Sequence, residues 1–143
     1  MFTHLRLHTE FSITDGTCRI DEIVEAASAD KQSALAITDL NNLFATVKFY
    51  TACRKAGVKP IIGSEIFVYF QGIDTTSEPC RLLLLAKNEI GFFNLSNILT
   101  LLWTDQTAKT QPGVDWSDLV KFSDGLILLS GAQNGPIGQA IKA

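Results

Sequence analysis

Residues 34–70 read ALAITDLNNLFATVKFYTACRKAGVKPIIGSEIFVYF, and this stretch decides the fold class. Ala34 to Thr38 is apolar without polar alternation, the pattern of a parallel strand buried on both faces. Asp39 to Asn42 reads as a loop, with Asn41 and Asn42 as turn residues. From about Leu43 to Ala56 the spacing predicts a helix with Phe44, Val47, Tyr50 and Ala52 or Cys53 turned inward. The aromatic set Phe44, Phe49 and Tyr50 therefore reads as core. Gly57 is placed to stop the helix. Ile61-Ile62 and Ile66 to Phe70 are strand material, interrupted at Gly63-Ser64-Glu65. Strand, helix and strand in this order build a parallel sheet.

The same alternation extends in both directions. Upstream, Thr3 to Leu7 alternates around Leu5 and Leu7 and predicts a first strand. Thr14-Asp15-Gly16 is a turn. Ile20, Ile23, Val24 and Ala27 share one face of a helix expected from Arg19 to Asp30. Asp21 and Glu22 suit the positive end of its dipole. Downstream, Gln71 to Pro79 reads as a polar loop, Leu82 to Ala86 as a buried strand, and Glu89 to Thr104 as a helix. Phe92, Leu95, Ile98, Leu99 and Leu102 line one side of that helix. An irregular stretch from Asp105 to Val114 follows, flanked by Trp103 and Trp116 as expected packing anchors. A short helix from Trp116 to Phe122, a strand from Leu126 to Leu129 and a helical run from Gly135 complete the chain. The pattern is α/β with mostly parallel strands; an open doubly wound sheet and a (β/α) barrel both fit it. The last run has no C-cap, which predicts a fragment.

Composition narrows the function. The chain has 143 residues, 46% hydrophobic and 19% charged, with a net charge of −3. That suffices for one core. No Lys/Arg cluster supplies the basic stripe of a duplex-binding module. The longest apolar runs fall far short of the roughly 20 residues of a membrane span. The N-terminus lacks the apolar region of a signal peptide. Cys18, Cys53 and Cys80 match neither a disulfide framework nor a CxxC zinc site, and read as free thiols of a cytoplasmic protein. Gly131 to Gly138 contains no phosphate-binding glycine motif.

In a parallel α/β fold, ligands gather at the carboxyl ends of the strands. Arg6, His8 and Asp15 stand after the first expected strand. Asp39, Asn41 and Asn42 follow the second, Glu65 lies in the third, Arg81 precedes the fourth, and Ser130 follows the last. His8, Asp15 and Glu65 are the residue types of a divalent-metal site. A hydrolytic multi-metal centre needs more ligands than these three. The alternative is that they are ordinary structural residues, paired or solvated.

Four runs carry a resemblance. HLRLHTEFSITDG (His4 to Gly16) resembles HLHxHSxYSLLDG. Ala34 to Val68 resembles AxAITDHGNxFGxxxFYxxAxxxGxKPIIGxExYV. LLLLAKNEIGFFNLSNI (Leu82 to Ile98) resembles HLxLLAKNxxGYxNLxxL, with Arg81 at its first position. DGLILLSGA (Asp124 to Ala132) resembles EGLIxLSGC. These are the patterns of the PHP (polymerase and histidinol phosphatase) domain, in the form that opens bacterial replicative DNA polymerase III alpha subunits. The match runs in order along nearly the whole chain. It implies a partial (β/α) barrel of PHP type, truncated at its C-terminal side, with residues 1–143 forming the N-terminal portion of the domain.

The resemblance also implies a ligand set, from which this sequence departs. Metal-binding members carry donors at seven of the aligned positions, here Arg6, His8, Asp15, Leu40, Glu65, Arg81 and Ala132. Histidine is replaced at Arg6, Leu40 and Arg81, and cysteine at Ala132. Guanidinium, leucine and alanine side chains offer no lone pair to a metal. The expectation is a vestigial metal centre, with His8, Asp15 and Glu65 as residual metal candidates. Arg6 and Arg81 are expected to neutralise the carboxylates. No catalytic residue and no cofactor are expected in this segment.

The implied parent is the catalytic subunit of a DNA-directed DNA polymerase, using Mg²⁺ on acidic residues beyond position 143. DNA would be met through those further domains. Expected partners are a separate 3′–5′ proofreading exonuclease subunit, for which this segment is scaffold and docking surface, and other polymerase holoenzyme subunits. No membrane is involved. The alternatives are an active metal-dependent PHP phosphoesterase or 3′–5′ exonuclease, and a small stand-alone phosphatase.

Overall fold

The computed structural model describes residues 2–70, 79–105 and 111–142. Most of the expected polar loop from Gln71 to Pro79, and part of the irregular stretch after Asp105, lie outside them. The chain falls into two compact units, Met1–Ser64 and Glu65–Ala143.

The first unit opens with an extended segment and a 3₁₀ turn, Glu10–Ser12, and continues through α1 (Ile20–Ala29), β1 (Ala34–Ile37) and α2 (Thr46–Ala56). The long strand β2 (Lys59–Tyr69) begins here and ends in the second unit. β1 runs parallel to the start of β2, from Ala34 opposite Lys59 to Ile37 opposite Ile62. The expected break at Gly63-Ser64-Glu65 is absent, and β2 is one strand. Glycine and two polar residues suggested a turn, but Ser64 is fully buried and its hydroxyl donates to Asp39 O at 2.7 Å. Its polar group is satisfied without leaving the strand.

The expected first strand is also corrected. Thr3 to Leu7 is not assigned as a strand, although it lies alongside β1. Ala36 N donates to His4 O at 3.0 Å and Thr38 N to Leu7 O at 2.9 Å. Leu7 N, however, donates to the Thr38 hydroxyl at 2.8 Å. A side chain stands where the next ladder carbonyl belongs, so regular pairing fails.

Helix α1 buries Ile20, Val24 and Ala27, close to the expected face. For α2 the expected face holds at Cys53 and fails at Phe44, Val47 and Tyr50. Phe49 and Cys53 point inward, with Ala45 just ahead of the helix, while Phe44, Val47 and Tyr50 face solvent. Small residues decide this. Ala52 and Ala56 let α2 lie close to α1, where the Ser28 hydroxyl donates to Ala56 O at 3.2 Å. Gly57 ends α2 in the left-handed conformation (φ 74°), as its place in the sequence predicts.

The second unit contains β3 (Cys80–Ala86), α3 (Glu89–Thr104), β4 (Val114–Asp115), α4 (Trp116–Lys121), β5 (Leu126–Leu129) and α5 (Pro136–Lys142). The end of β2 pairs in parallel with β4, which the sequence did not signal. β3 and β5 are antiparallel, with Leu83 opposite Leu129. The α/β class with mostly parallel strands holds. Helix α3 follows its expected range. The Asn88 side chain caps it by accepting from Gly91 N at 2.9 Å, and Leu95, Ile98, Leu99 and Leu102 are buried. Gly91 has to be glycine, because a Cβ there would lie 1.8 Å from Gly125 O. Of the two expected anchors, Trp116 stacks on Phe70 with ring centroids 5.1 Å apart, whereas Trp103 is half exposed.

Candidate site residues at the strand ends

In the first unit, Asp39 at the end of β1 organises the site. Its carboxylate accepts from Thr9 N at 2.6 Å and from the Thr9 hydroxyl at 2.8 Å. Thr9 in turn accepts from Phe11 N at 3.2 Å and caps the 3₁₀ turn. Ser12 accepts from Leu40 N at 2.9 Å and donates to Asp15 Oδ1 at 2.7 Å. His8 Nδ1 lies 2.9 Å from the same Asp15 oxygen. Asp15 thus sits between serine and histidine. The hydroxyl bonds the carboxylate and not the imidazole, so this is not a nucleophile beside its base. Asn42 closes the loop by donating to Phe11 O at 3.1 Å and to Leu40 O at 2.9 Å.

Burial raises the Asp39 carboxyl above its ordinary value of 3.8, against the lowering effect of the two Thr9 bonds. A carboxyl group raised on folding contributes stability that is complete below its unfolded value and is lost as pH rises through its folded value. Asp39→Asn removes that titration and retains one acceptor for Thr9 N. Wild-type stability, measured relative to this variant by urea unfolding, should increase as pH falls from about 7 toward 4. A difference that stays constant across that range would refute the assignment.

In the second unit, Glu65 on β2 is the buried carboxylate, with its side chain 3% exposed. Arg81 on β3 places Nη1 3.4 Å from Glu65 Oε2. The same guanidinium lies over the Phe67 ring, 5.2 Å from its centroid. A cation held between a carboxylate and an aromatic face is a structural arrangement. The Arg81 half of the expected neutralisation therefore has a geometric basis. Arg6, in the first unit, is exposed, and the bonds to Asp15 described above come from Ser12 and His8. Leu40 is half-buried, and Ala132 is exposed in the turn after Gly131. Neither offers a donor.

Sequence reading missed the part played by Thr9, Ser12 and Ser64, because short hydroxyl side chains carry no spacing signal. It also missed three second-unit carboxylates, Asp105, Asp115 and Asp118, whose oxygens lie within 4.8 Å of one another. Lys121 Nζ sits 2.7 Å from Asp118 Oδ1.

Residues 4–143 match the PHP domain profile, and the chain belongs to the PHP domain family. It is 38% identical over 140 residues to DNA polymerase III subunit alpha of Vibrio cholerae, covering 98% of this chain and 12% of that protein. It is 40% identical over 136 residues to the same subunit of Neisseria meningitidis serogroup A, covering 94% of this chain and 12% of that protein. The chain thus spans about an eighth of the length of these curated relatives. Two solved structures share the fold. One is an amidohydrolase from Chromobacterium violaceum, with a TM-score of 0.54 and 19% identity, covering 70% of this chain and 32% of that one. The other is a protein from Bifidobacterium adolescentis assigned as a metal-dependent phosphoesterase, with a TM-score of 0.51 and 16% identity, covering 85% and 43%. Among the described residues, no helix is long and apolar enough to cross a membrane.

Proposed function

We propose that this chain is the opening segment of a replicative DNA polymerase III alpha subunit, in which the PHP domain has lost its metal centre. It acts as framework and as docking surface for a separate 3′–5′ proofreading exonuclease. The observation that carries this reading is the donor chemistry at the seven aligned positions. Arg6, Leu40, Arg81 and Ala132 offer no metal-ligating atom. The Arg81 guanidinium beside Glu65 further supports it, since a fixed positive charge occupies the neighbourhood of a carboxylate that a metal would otherwise neutralise. The residues do not fit a multinuclear metal centre, and no catalytic step is assigned to them.

In the complete protein, the reaction would be transfer of a deoxynucleoside monophosphate from a dNTP to a primer 3′ end. Mg²⁺ and the acidic residues of that reaction belong to parts of the protein outside this chain. DNA contact belongs there too, in keeping with a net charge of −3 and no basic cluster here. Other holoenzyme subunits and a cytoplasmic setting follow from the same reading.

The test is metal content by emission spectroscopy, followed by phosphoesterase and 3′–5′ exonuclease assays with Mn²⁺ or Zn²⁺. The expected result is well under one equivalent of bound transition metal and no activity above buffer. Two or three tightly held ions per chain, together with metal-dependent hydrolysis, would replace this reading with that of an active PHP phosphoesterase.

A further inference from the structure

The turn that leads into α5 carries a chemically labile pair. Of the asparagines in the chain, Asn134 alone precedes a glycine. Asn134 is exposed and closes the 3₁₀ turn Ala132–Asn134. Gly135 follows in extended backbone (φ −86°, ψ 172°), and Pro136 opens the helix. With no Cβ at 135, nothing crowds the Gly135 nitrogen against the Asn134 side chain, and the backbone there turns freely.

Packing enforces the glycine. A Cβ at 135 would run into Ser130 O, so a bulkier successor cannot protect Asn134. A Cβ at Gly131 would likewise meet Arg81 O, and one at Gly138 would meet Ala132 O. Backbone thus lies on backbone at three points around residue 134, with no space for an added main-chain atom.

The turn itself is weakly held. Gly131 and Ala132 are both left-handed, with φ 70° and 48°, and the alanine is strained there. Gly135 N donates to Ala132 O at 3.2 Å, the long end of the range for such bonds. Short 3₁₀ turns of this kind open locally, which frees the Gly135 amide.

Gln139 on α5 links this turn to a buried thiol. Its backbone N donates to Gly135 O at 2.9 Å, and its Nε2 donates to Asn134 O at 3.4 Å. Its Oε1 accepts from the Cys80 thiol at 3.0 Å. Cys80, at the start of β3, is 5% exposed.

We propose that Asn134-Gly135 is a self-modification site, whose conversion to isoaspartate loosens α5 and uncovers Cys80. The Gly135 amide gives its proton to hydroxide, and its nitrogen attacks Asn134 Cγ. The N–Cγ bond forms and the Cγ–Nδ2 bond breaks. Nδ2 takes a proton from water and leaves as ammonia. The product is a cyclic imide, which water then opens at either carbonyl. Attack at Cγ leaves aspartate. Attack at the main-chain carbonyl leaves isoaspartate, with the chain rerouted through Cβ and Cγ. Nothing is oxidised or reduced, and water is the sole co-reactant. The rerouted chain is longer by a methylene where three backbone contacts already touch. Aspartate leaves the path of the chain unchanged.

The experiment incubates the purified chain at neutral and at mildly alkaline pH, with brief native labelling by iodoacetamide and peptide mass spectrometry. Asn134→Gln and a sample unfolded in urea run in parallel. The Asn134 peptide should gain the mass of O in place of NH, ahead of every other asparagine and faster at the higher pH. Cys80 labelling should rise from near zero to match the isoaspartate fraction. Cys18, which is exposed, should label from the outset, and Cys53 should stay protected. Asn134→Gln should keep its Tm, because the position is exposed, and should lose both changes, because its longer side chain must close a larger ring. If the urea sample deamidates and the folded chain does not, the native turn protects the pair and the proposal fails. Isoaspartate without Cys80 labelling would overturn the link to α5. Cys80 labelling in Asn134→Gln equal to wild type would place its cause elsewhere and overturn that link too.

Discussion

Arg81→Ala is expected to lower the unfolding free energy by about 3 kcal/mol, the scale on which removing one partner of a buried pair destabilises. The Glu65 side chain is 3% exposed, and Arg81 places a guanidinium nitrogen 3.4 Å from its carboxylate. Truncating Arg81 removes that positive charge and the cation over the Phe67 ring. The Glu65 carboxylate then loses that compensation in a poorly solvated position. Adding Glu65→Gln to the variant removes that charge and should recover more than half of the loss. Arg81→Lys should fall between wild type and alanine, because an ammonium keeps the charge without the planar fork. Denaturant unfolding of the double-mutant cycle reads the coupling directly. A loss below about 0.5 kcal/mol for Arg81→Ala would mean that the arginine serves only as a solvated surface charge.

Phe49→Ala should cost about 3–5 kcal/mol, while Phe44→Ala should stay within about 0.5 kcal/mol. Both are phenylalanines on the same stretch of chain, and their hydropathy is identical. Phe49 is fully buried against α1 and β1, in the cluster that includes Val24, Leu35 and Cys53. Phe44 is mostly exposed. Removing the first leaves a cavity in a close-packed interior; removing the second takes an apolar side chain out of water. Equal losses for the two variants would contradict the observed orientation of α2.

That pair also shows where the sequence was legible. Helix α3 ran over its expected residues because a broad leucine and isoleucine face left one way to bury it. The ranges of α1, β1, β3 and β5 came within a residue or two for the same reason. The face of α2 was read correctly at Cys53 but misread at Phe44, Val47 and Tyr50, because Ala45 and Ala56 form part of its close contact and small residues contribute little to a hydropathy pattern. β2 was misread as two pieces because Gly63-Ser64-Glu65 resembles a turn when no partner is in view. The Ser64 bond to Asp39 O keeps the strand whole.

The candidate site divides in the same way. Residue types alone showed that Arg6, Leu40, Arg81 and Ala132 cannot ligate a metal, since that is a property of their atoms. Order along the chain likewise determined the α/β class, because strand and helix periods are local. Tertiary structure alone decided which carboxylates are held by what. It set Asp15 between Ser12 and His8, Asp39 beneath Thr9, and Glu65 beside Arg81. Those pairings join residues 3 to 30 positions apart, and spacing in sequence carries no information about side chains that meet only after the backbone has folded.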